Sequence, residues 1–199
     1  MPRKKIREIF LFAGPNGSGK STVVKKFLTD KNCPVYYICP DNNLDEKLKN
    51  DRGAYIQAMQ VAELQRYKAV AEGESFSFES VFSTTAKLDF LKFAKMQGYK
   101  ITAIYIVTKK PEINIRRIRE RVLHGGHDVP KDKIISRYHK SLKLMPDCLE
   151  TADDFFLFDN SAEMPAKPQL ILEKHQTKIK INSNYGDIGW LKKYLREII

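Results

Sequence analysis

Apolar positions along the chain fall into short runs that alternate with segments of helical spacing. Ile9–Ala13 is a continuous apolar run that stops at a glycine loop, and Ser21–Thr29 follows with Val23, Val24, Phe27 and Leu28 at helical intervals. Val35–Cys39, enclosed by Pro34 and Pro40, predicts a second buried strand. Ala54–Ala71 predicts a long helix with Ala58, Val61, Ala62, Leu64 and Ala69 as its apolar positions, closed by Gly73. Ser75–Phe82 predicts a third strand with Phe76, Phe78 and Phe82 on one side, and Thr85–Gln97 an amphipathic helix through Leu88, Leu91, Phe93 and Met96. Tyr99–Thr108, rich in β-branched and aromatic residues, is the clearest strand of all. Pro111 opens a helix that runs to about Leu123, Pro130 opens another to about Leu144, and Asp154–Phe158 is a fifth apolar strand.

Five strands with helices between them predict an α/β fold, a parallel sheet covered on both faces. The tail differs: Leu170–Asn182, interrupted by charges, predicts a hairpin or a pair of edge strands, and Trp190–Ile199 a short amphipathic helix with Leu191, Leu195 and Ile198 on one side. The expected organisation is a core over residues 1–165, with a lid at about 111–145, and a C-terminal strand and helix extension, 166–199, packed on that core.

A chain of 199 residues is enough for one domain, and 42% hydrophobic with 30% charged residues is the balance of a globular protein. No apolar run approaches the roughly 20 residues that span a bilayer, and the apolar stretch behind the basic N-terminus is too short for a secretion signal. Cys33, Cys39 and Cys148 show no Cys-x-x-Cys spacing, so neither a disulfide framework nor a zinc site is expected, and the chain reads as cytoplasmic. The net charge of +11 suits an anionic partner of any size. Basic residues are not interleaved with aromatics in the way that stacks single-stranded bases, so nucleic acid is not the partner expected first.

The chemistry enters at Gly14-Pro15-Asn16-Gly17-Ser18-Gly19-Lys20-Ser21, which satisfies G-x-x-x-x-G-K-[ST] in full, with Thr22 next. An apolar strand precedes it and a helix follows, the setting in which backbone N–H groups turn inward around phosphate oxygens at a helix N-terminus. Lys20 is expected to reach the β- and γ-phosphates of ATP, and Ser21 to hold Mg²⁺ through its hydroxyl.

Three further constellations surround that loop. Asp41 directly follows the second strand, at the sheet edge where ligands gather, and can accept the proton of an attacking hydroxyl or serve as a turn or helix-capping residue. Glu79 sits among Phe76, Phe78 and Phe82 near the end of the third strand, where it can orient a substrate hydroxyl or a Mg²⁺-bound water, or pair with a lysine. Arg117, Arg121 and His124 share one side of the Pro111–Leu123 helix, and Arg137 lies on the next helix beyond Gly125-Gly126-His127. Two arginine-bearing helices joined by a glycine hinge resemble a lid that closes over phosphates.

Together these residues resemble the zeta-toxin-like P-loop kinases. The resemblance runs from about Ile9 to Ser161 and rests on FAGPNGSGKST (Phe12–Thr22), Asp41, SFSFESVFS (Ser75–Ser83), RERVLHGGHDVP (Arg119–Pro130), ISRYHKSL (Ile135–Leu142) and FLFDNS (Phe156–Ser161). It implies a five-stranded parallel sheet of order 2-3-1-4-5 and transfer of the ATP γ-phosphate to a hydroxyl. It also implies Asp41 as catalytic base, Glu79 with Ser80 beside it as the acceptor-binding pair, and Arg121 and Arg137 as the lid arginines, with Arg117 a weaker counterpart. The best-known members phosphorylate UDP-N-acetylglucosamine and are restrained by an antitoxin protein, so a UDP-sugar and an antitoxin are the partners implied. The Gly125-Gly126-His127 loop is similar to that of a branch of small kinases rather than to the toxins, and Cys39-Pro40 stands where the family has Asn and a small residue. Two other readings stay open: a kinase acting on polynucleotide ends or other nucleotides, and a non-catalytic, ATP-dependent binding module.

Overall fold

The computed structural model describes residues 6–30, 33–34, 36–45, 48, 51–126, 128–163, 167–186 and 188–195. Val35, His127 and Ile198, and the 165/166 boundary between core and extension, lie outside them.

Strand β1 (Glu8–Ala13) is the centre of the sheet, paired in parallel with β3 (Phe76–Ser80) on one side and β4 (Lys100–Val107) on the other. Beyond β3 lies β2 (Tyr37–Ile38), and beyond β4 lies β5 (Asp154–Asp159), both parallel to their neighbours. The expected order 2-3-1-4-5 is therefore present, but the sheet does not stop there. Strand β6 (Gln169–His175) pairs antiparallel with β5 and β7 (Lys178–Ile181) antiparallel with β6, which makes one mixed sheet of seven strands rather than five parallel ones with a separate appendage.

The charges that made the tail look like an exposed edge explain the difference. Lys174 of β6 is buried, and its Nζ donates to the carbonyls of Leu149 (2.7 Å), Glu150 (3.0 Å) and Ala152 (2.7 Å) at the end of helix α5 (Lys131–Thr151). A cation on unpaired C-terminal carbonyls is stabilised by both the hydrogen bonds and the helix dipole. The same helix runs past the expected end near Leu144 and through Pro146, because Met145, Cys148 and Leu149 beyond it are buried against the sheet and hold the last turns in place.

The sheet's two faces are covered unequally. Helices α2 (Arg52–Glu72), α3 (Thr85–Met96) and α5, together with α6 (Gly189–Leu195), pack on the face that presents Ile9, Leu11, Phe76, Phe78, Ile101 and Tyr105. Helix α1 (Lys20–Thr29) covers Phe12, Ile104 and Ile106 on the other face, through Val24 and Phe27. Helix α4 (Pro111–Leu123) joins α5 through a small cluster of Ile115, Ile118 and Ile134. The connections after β1, β2, β3 and β4 all leave from the carboxyl ends of parallel strands, so that edge gathers the loops that carry chemistry.

Candidate active site

The glycine loop leaves β1 at Gly14, whose φ of 138° is closed to other residues. A Cβ there would lie 2.0 Å from the Ile106 carbonyl oxygen, so glycine is required sterically as well as conformationally. At Gly19, φ 96° turns the chain into α1, and a Cβ would meet the Asn160 Nδ2 at 2.3 Å. Two buried or half-buried carboxamides hold the loop from outside. Asn114, fully buried in α4, donates from Nδ2 to the Asn16 carbonyl and accepts from the Thr108 hydroxyl. Asn160, just past β5, donates from Nδ2 to the Ser18 carbonyl at 2.8 Å. The phosphate loop is thus clamped to the first helix of the expected lid and to the end of β5.

Inside the loop, Ser18 Oγ is fully buried and has no hydrogen-bond partner among the described residues. Lys20 is also buried, and its Nζ donates to the Pro15 carbonyl at 2.9 Å. Burial lowers the Lys20 pKa to about 8, with nearby Arg121 acting in the same direction and Glu79 opposing both. A buried hydroxyl and a buried ammonium facing one loop of inward backbone fit the oxygens of a polyphosphate.

The Ser21 hydroxyl donates to the Glu79 carboxylate, 3.1 Å from Oε2. Tyr37, half-buried at the start of β2, has its pKa pushed far up by burial first and then by the charges of Glu79, Cys39 and Asp41. Ser21 thus holds the Glu79 carboxylate at the end of β3. The chain turns sharply behind it: Phe82 adopts φ 53° with its ring buried edge-on to Tyr105, and its N–H donates to Ser80 Oγ at 3.0 Å. Phe82 is consequently outside the strand, and the Ser80 hydroxyl is engaged in this turn. Ser21 and Glu79 supply the oxygen donors that suit a hard divalent cation such as Mg²⁺, which takes one or two protein ligands alongside phosphate oxygens. Among the described residues, no group of three or more His, Cys, Asp or Glu could hold a metal ion on its own.

Asp41 lies in a 3-10 turn, Pro40–Asn43, at the carboxyl end of β2, and is exposed. The turn is pinned to α2 by reciprocal hydrogen bonds between Asn43 and Gln65, 3.1 and 3.0 Å long. Tyr55, half-buried in the first turn of α2, has its pKa raised by burial first and then by the charges of Asp41 and Glu79, with the guanidinium groups of Arg121 and Arg137 opposing them. Arg117 sits elsewhere: its guanidinium donates to the carbonyls of Asn160 (2.7 Å) and Ala162 (2.8 Å), bracing the loop after β5. Arg116 pairs with Glu163 at 2.7 Å.

Four residues of this arrangement carried no signal of their own in the sequence. Tyr37 and Tyr55 read as ordinary strand and helix aromatics, Asn114 as a polar position inside an amphipathic helix, and Asn160 as part of a strand-end motif without an assigned task.

The chain matches no protein-family model. A protein of Haemophilus influenzae described as uncharacterized is 31% identical over 144 residues, which is 69% of this chain and 100% of that protein. Among solved structures, the AvrRxo1-ORF1:ORF2 complex superposes with a TM-score of 0.69 at 14% identity, over 90% of this chain and 62% of that one. The same pair with ATP gives 0.67 at 14% identity, over 92% and 67%. A structure from the PezAT chromosomal toxin-antitoxin system of Streptococcus pneumoniae gives 0.62 at 17% identity, over 96% and 79%. The chain thus spans about three fifths of the native AvrRxo1-ORF1:ORF2 chain it matches, 62% of its length.

Proposed function

The chain belongs to one family with the Haemophilus influenzae protein and has the fold of the zeta-toxin-like P-loop kinases, and from that premise we propose that it is an ATP-dependent phosphotransferase acting on an alcohol. The observation that carries this reading is the phosphate loop itself, with the Lys20 ammonium folded inside it, a buried Ser18 hydroxyl without a partner among the described residues, and Ser21 hydrogen-bonded to Glu79 beside it.

In this reading the Gly14–Thr22 loop binds the ATP triphosphate through its backbone N–H groups, Ser18 Oγ and Lys20 Nζ. Ser21 and Glu79 are the residues that would hold Mg²⁺, which would supply charge neutralisation to the polyphosphate when bound. Asp41 accepts the proton of the acceptor hydroxyl as that oxygen approaches the γ-phosphorus. The new O–P bond forms while the bond from the γ-phosphorus to the bridging oxygen breaks, and ADP leaves with that electron pair. Arg121 and Arg137 face the equatorial oxygens of the moving phosphoryl group, where negative charge must be balanced. Glu79 and Ser80 border the acceptor side, and the lid of residues 111–145 excludes water. A UDP-sugar such as UDP-N-acetylglucosamine is the acceptor to test first, and the AvrRxo1-ORF1:ORF2 and PezAT structures support an antitoxin-like protein as partner.

The decisive substitution is Asp41→Asn, which keeps shape and removes the proton acceptor. Phosphotransfer should fall by about 10²–10⁴-fold, the usual worth of a general base, with the ATP dissociation constant within about twofold of wild type. Turnover in the variant equal to wild type would remove Asp41 from the mechanism.

A further inference from the structure

The strand directions bring the C-terminal extension back to the edge where the phosphate loop lies. Strand β6 runs antiparallel to β5 and β7 antiparallel to β6, so β7 ends toward the carboxyl edge of the parallel strands, with Ile181 opposite Leu172. Asn182 then turns the chain. Its N–H donates to the Ile171 carbonyl at 2.8 Å and its Nδ2 to the Leu170 carbonyl at 2.9 Å. The Tyr185 N–H donates to the Asn182 carbonyl at 3.0 Å, and from this turn the Tyr185 side chain reaches the last residue of β5.

There the Tyr185 hydroxyl, buried, donates to Asp159 Oδ2 at 2.6 Å. Asp159 is itself buried, and its Oδ1 accepts from both the N–H (2.8 Å) and the hydroxyl of Ser161. Ser161 Oγ accepts in turn from the Lys109 N–H at 2.7 Å. Between these two anchored residues stands Asn160, whose N–H donates to the Val107 carbonyl and whose Nδ2 donates to the Ser18 carbonyl, each at 2.8 Å. A buried carboxylate is costly unless its oxygens are hydrogen-bonded. Without the Tyr185 donor, Oδ2 would keep only Lys109 Nζ, half-exposed and 4.0 Å away, beyond hydrogen-bond reach. The corner would have to shift, and Asn160 has no slack against the loop: a Cβ at Gly19 would lie 2.3 Å from its Nδ2.

We propose that Tyr185 is a positioning residue for nucleotide binding. Through Asp159 it fixes Asn160, and through Asn160 the Ser18–Gly19 turn whose buried Ser18 hydroxyl faces the phosphates. The inference rests on the reading of this loop as an ATP site and goes beyond it, because it makes the C-terminal extension part of that site. The hairpin is then a brace for the loop as well as an edge to the sheet.

The test measures binding of a non-hydrolysable ATP analogue to the full chain, and the KM for ATP in phosphotransfer. Tyr185→Phe keeps the ring and removes the donor; it should weaken analogue binding on the order of fivefold. The KM for ATP should rise in step, with turnover at saturating ATP within about twofold of wild type. Asn160→Ala should weaken binding at least as much, and the double variant should be no weaker than Asn160→Ala alone, because Tyr185 acts through Asn160. Lys174→Met perturbs the same extension at the opposite edge of the sheet and should leave analogue binding unchanged. Wild-type affinity in Tyr185→Phe, or additive effects in the double variant, would overturn the inference. Equal weakening by Lys174→Met would also overturn it, since any loss of stability in the extension would then suffice. A wild type that binds no analogue would remove the nucleotide site and this inference with it. Binding without phosphotransfer to any alcohol would remove the kinase reading alone.

Discussion

Lys20 shows how one residue reports the state of the whole loop. With its ammonium folded onto the Pro15 carbonyl and buried, its pKa is lowered to about 8 from an ordinary 10.5. Above pH 8 the free protein therefore holds Lys20 mostly neutral, whereas a triphosphate in the loop restores the charged form. Binding must then take up a proton, and ATP affinity must decline as pH rises from 8 toward 10. Calorimetric titration at pH 9, in two buffers of different ionisation enthalpy, should show uptake of close to one proton per ATP. Lys20→Met should bind more weakly and lose that uptake. Equal enthalpies in the two buffers for wild type would show that Lys20 keeps its charge without nucleotide. Lys20 was legible in the sequence because the motif fixes its spacing from glycines that only one backbone path allows. Tyr185 was not, because a phenol in a connecting segment acquires a task only when tertiary packing brings a carboxylate to it.

At the scale of elements, the first five strands were legible because each is an apolar run bounded by glycine, proline or a charged turn, and their order followed from the resemblance. The last two were harder, since Lys174 and Glu173 break the alternation that marks a strand with one buried face. The missing information was the partner: three carbonyls at the end of α5, which no local pattern in Gln169–His175 announces. Similarly, α5 continues past Pro146 because burial of Met145, Cys148 and Leu149 outweighs the one backbone hydrogen bond proline removes. Lys174→Met keeps the stem and removes the ammonium, leaving those carbonyls unpaired. The expected cost is about 2 kcal/mol, seen as a melting temperature lower by about 5 °C, with ATP affinity unchanged because the junction lies away from the phosphate loop. An unaltered melting temperature would mean that water caps α5 equally well and that the hairpin is held by its strand pairing alone.

Across the whole molecule the charge is concentrated where the chemistry needs it. Residues 109–143 contain eleven Lys and Arg against four Asp and Glu, so seven of the chain's eleven net positive charges sit in the segment that carries α4 and the first part of α5. Only some of these touch the cleft; Lys140 and Lys143 are exposed on the outer side of α5. Their contribution is to the field, which draws an anionic nucleotide toward the loop before any contact forms and is screened beyond about 8 Å at physiological ionic strength. The association rate of a fluorescent ATP analogue should therefore fall about tenfold between low and near-physiological salt, with a smaller change in dissociation. Reversing both lysines (Lys140→Glu with Lys143→Glu) should depress the low-salt association rate several-fold. Reversing Lys178 and Lys180, which lie on β7 at the far edge of the sheet, changes net charge by the same amount and should have less effect. If the two double variants slow association equally, net charge alone governs capture, and the clustering of basic residues on the lid has no kinetic role.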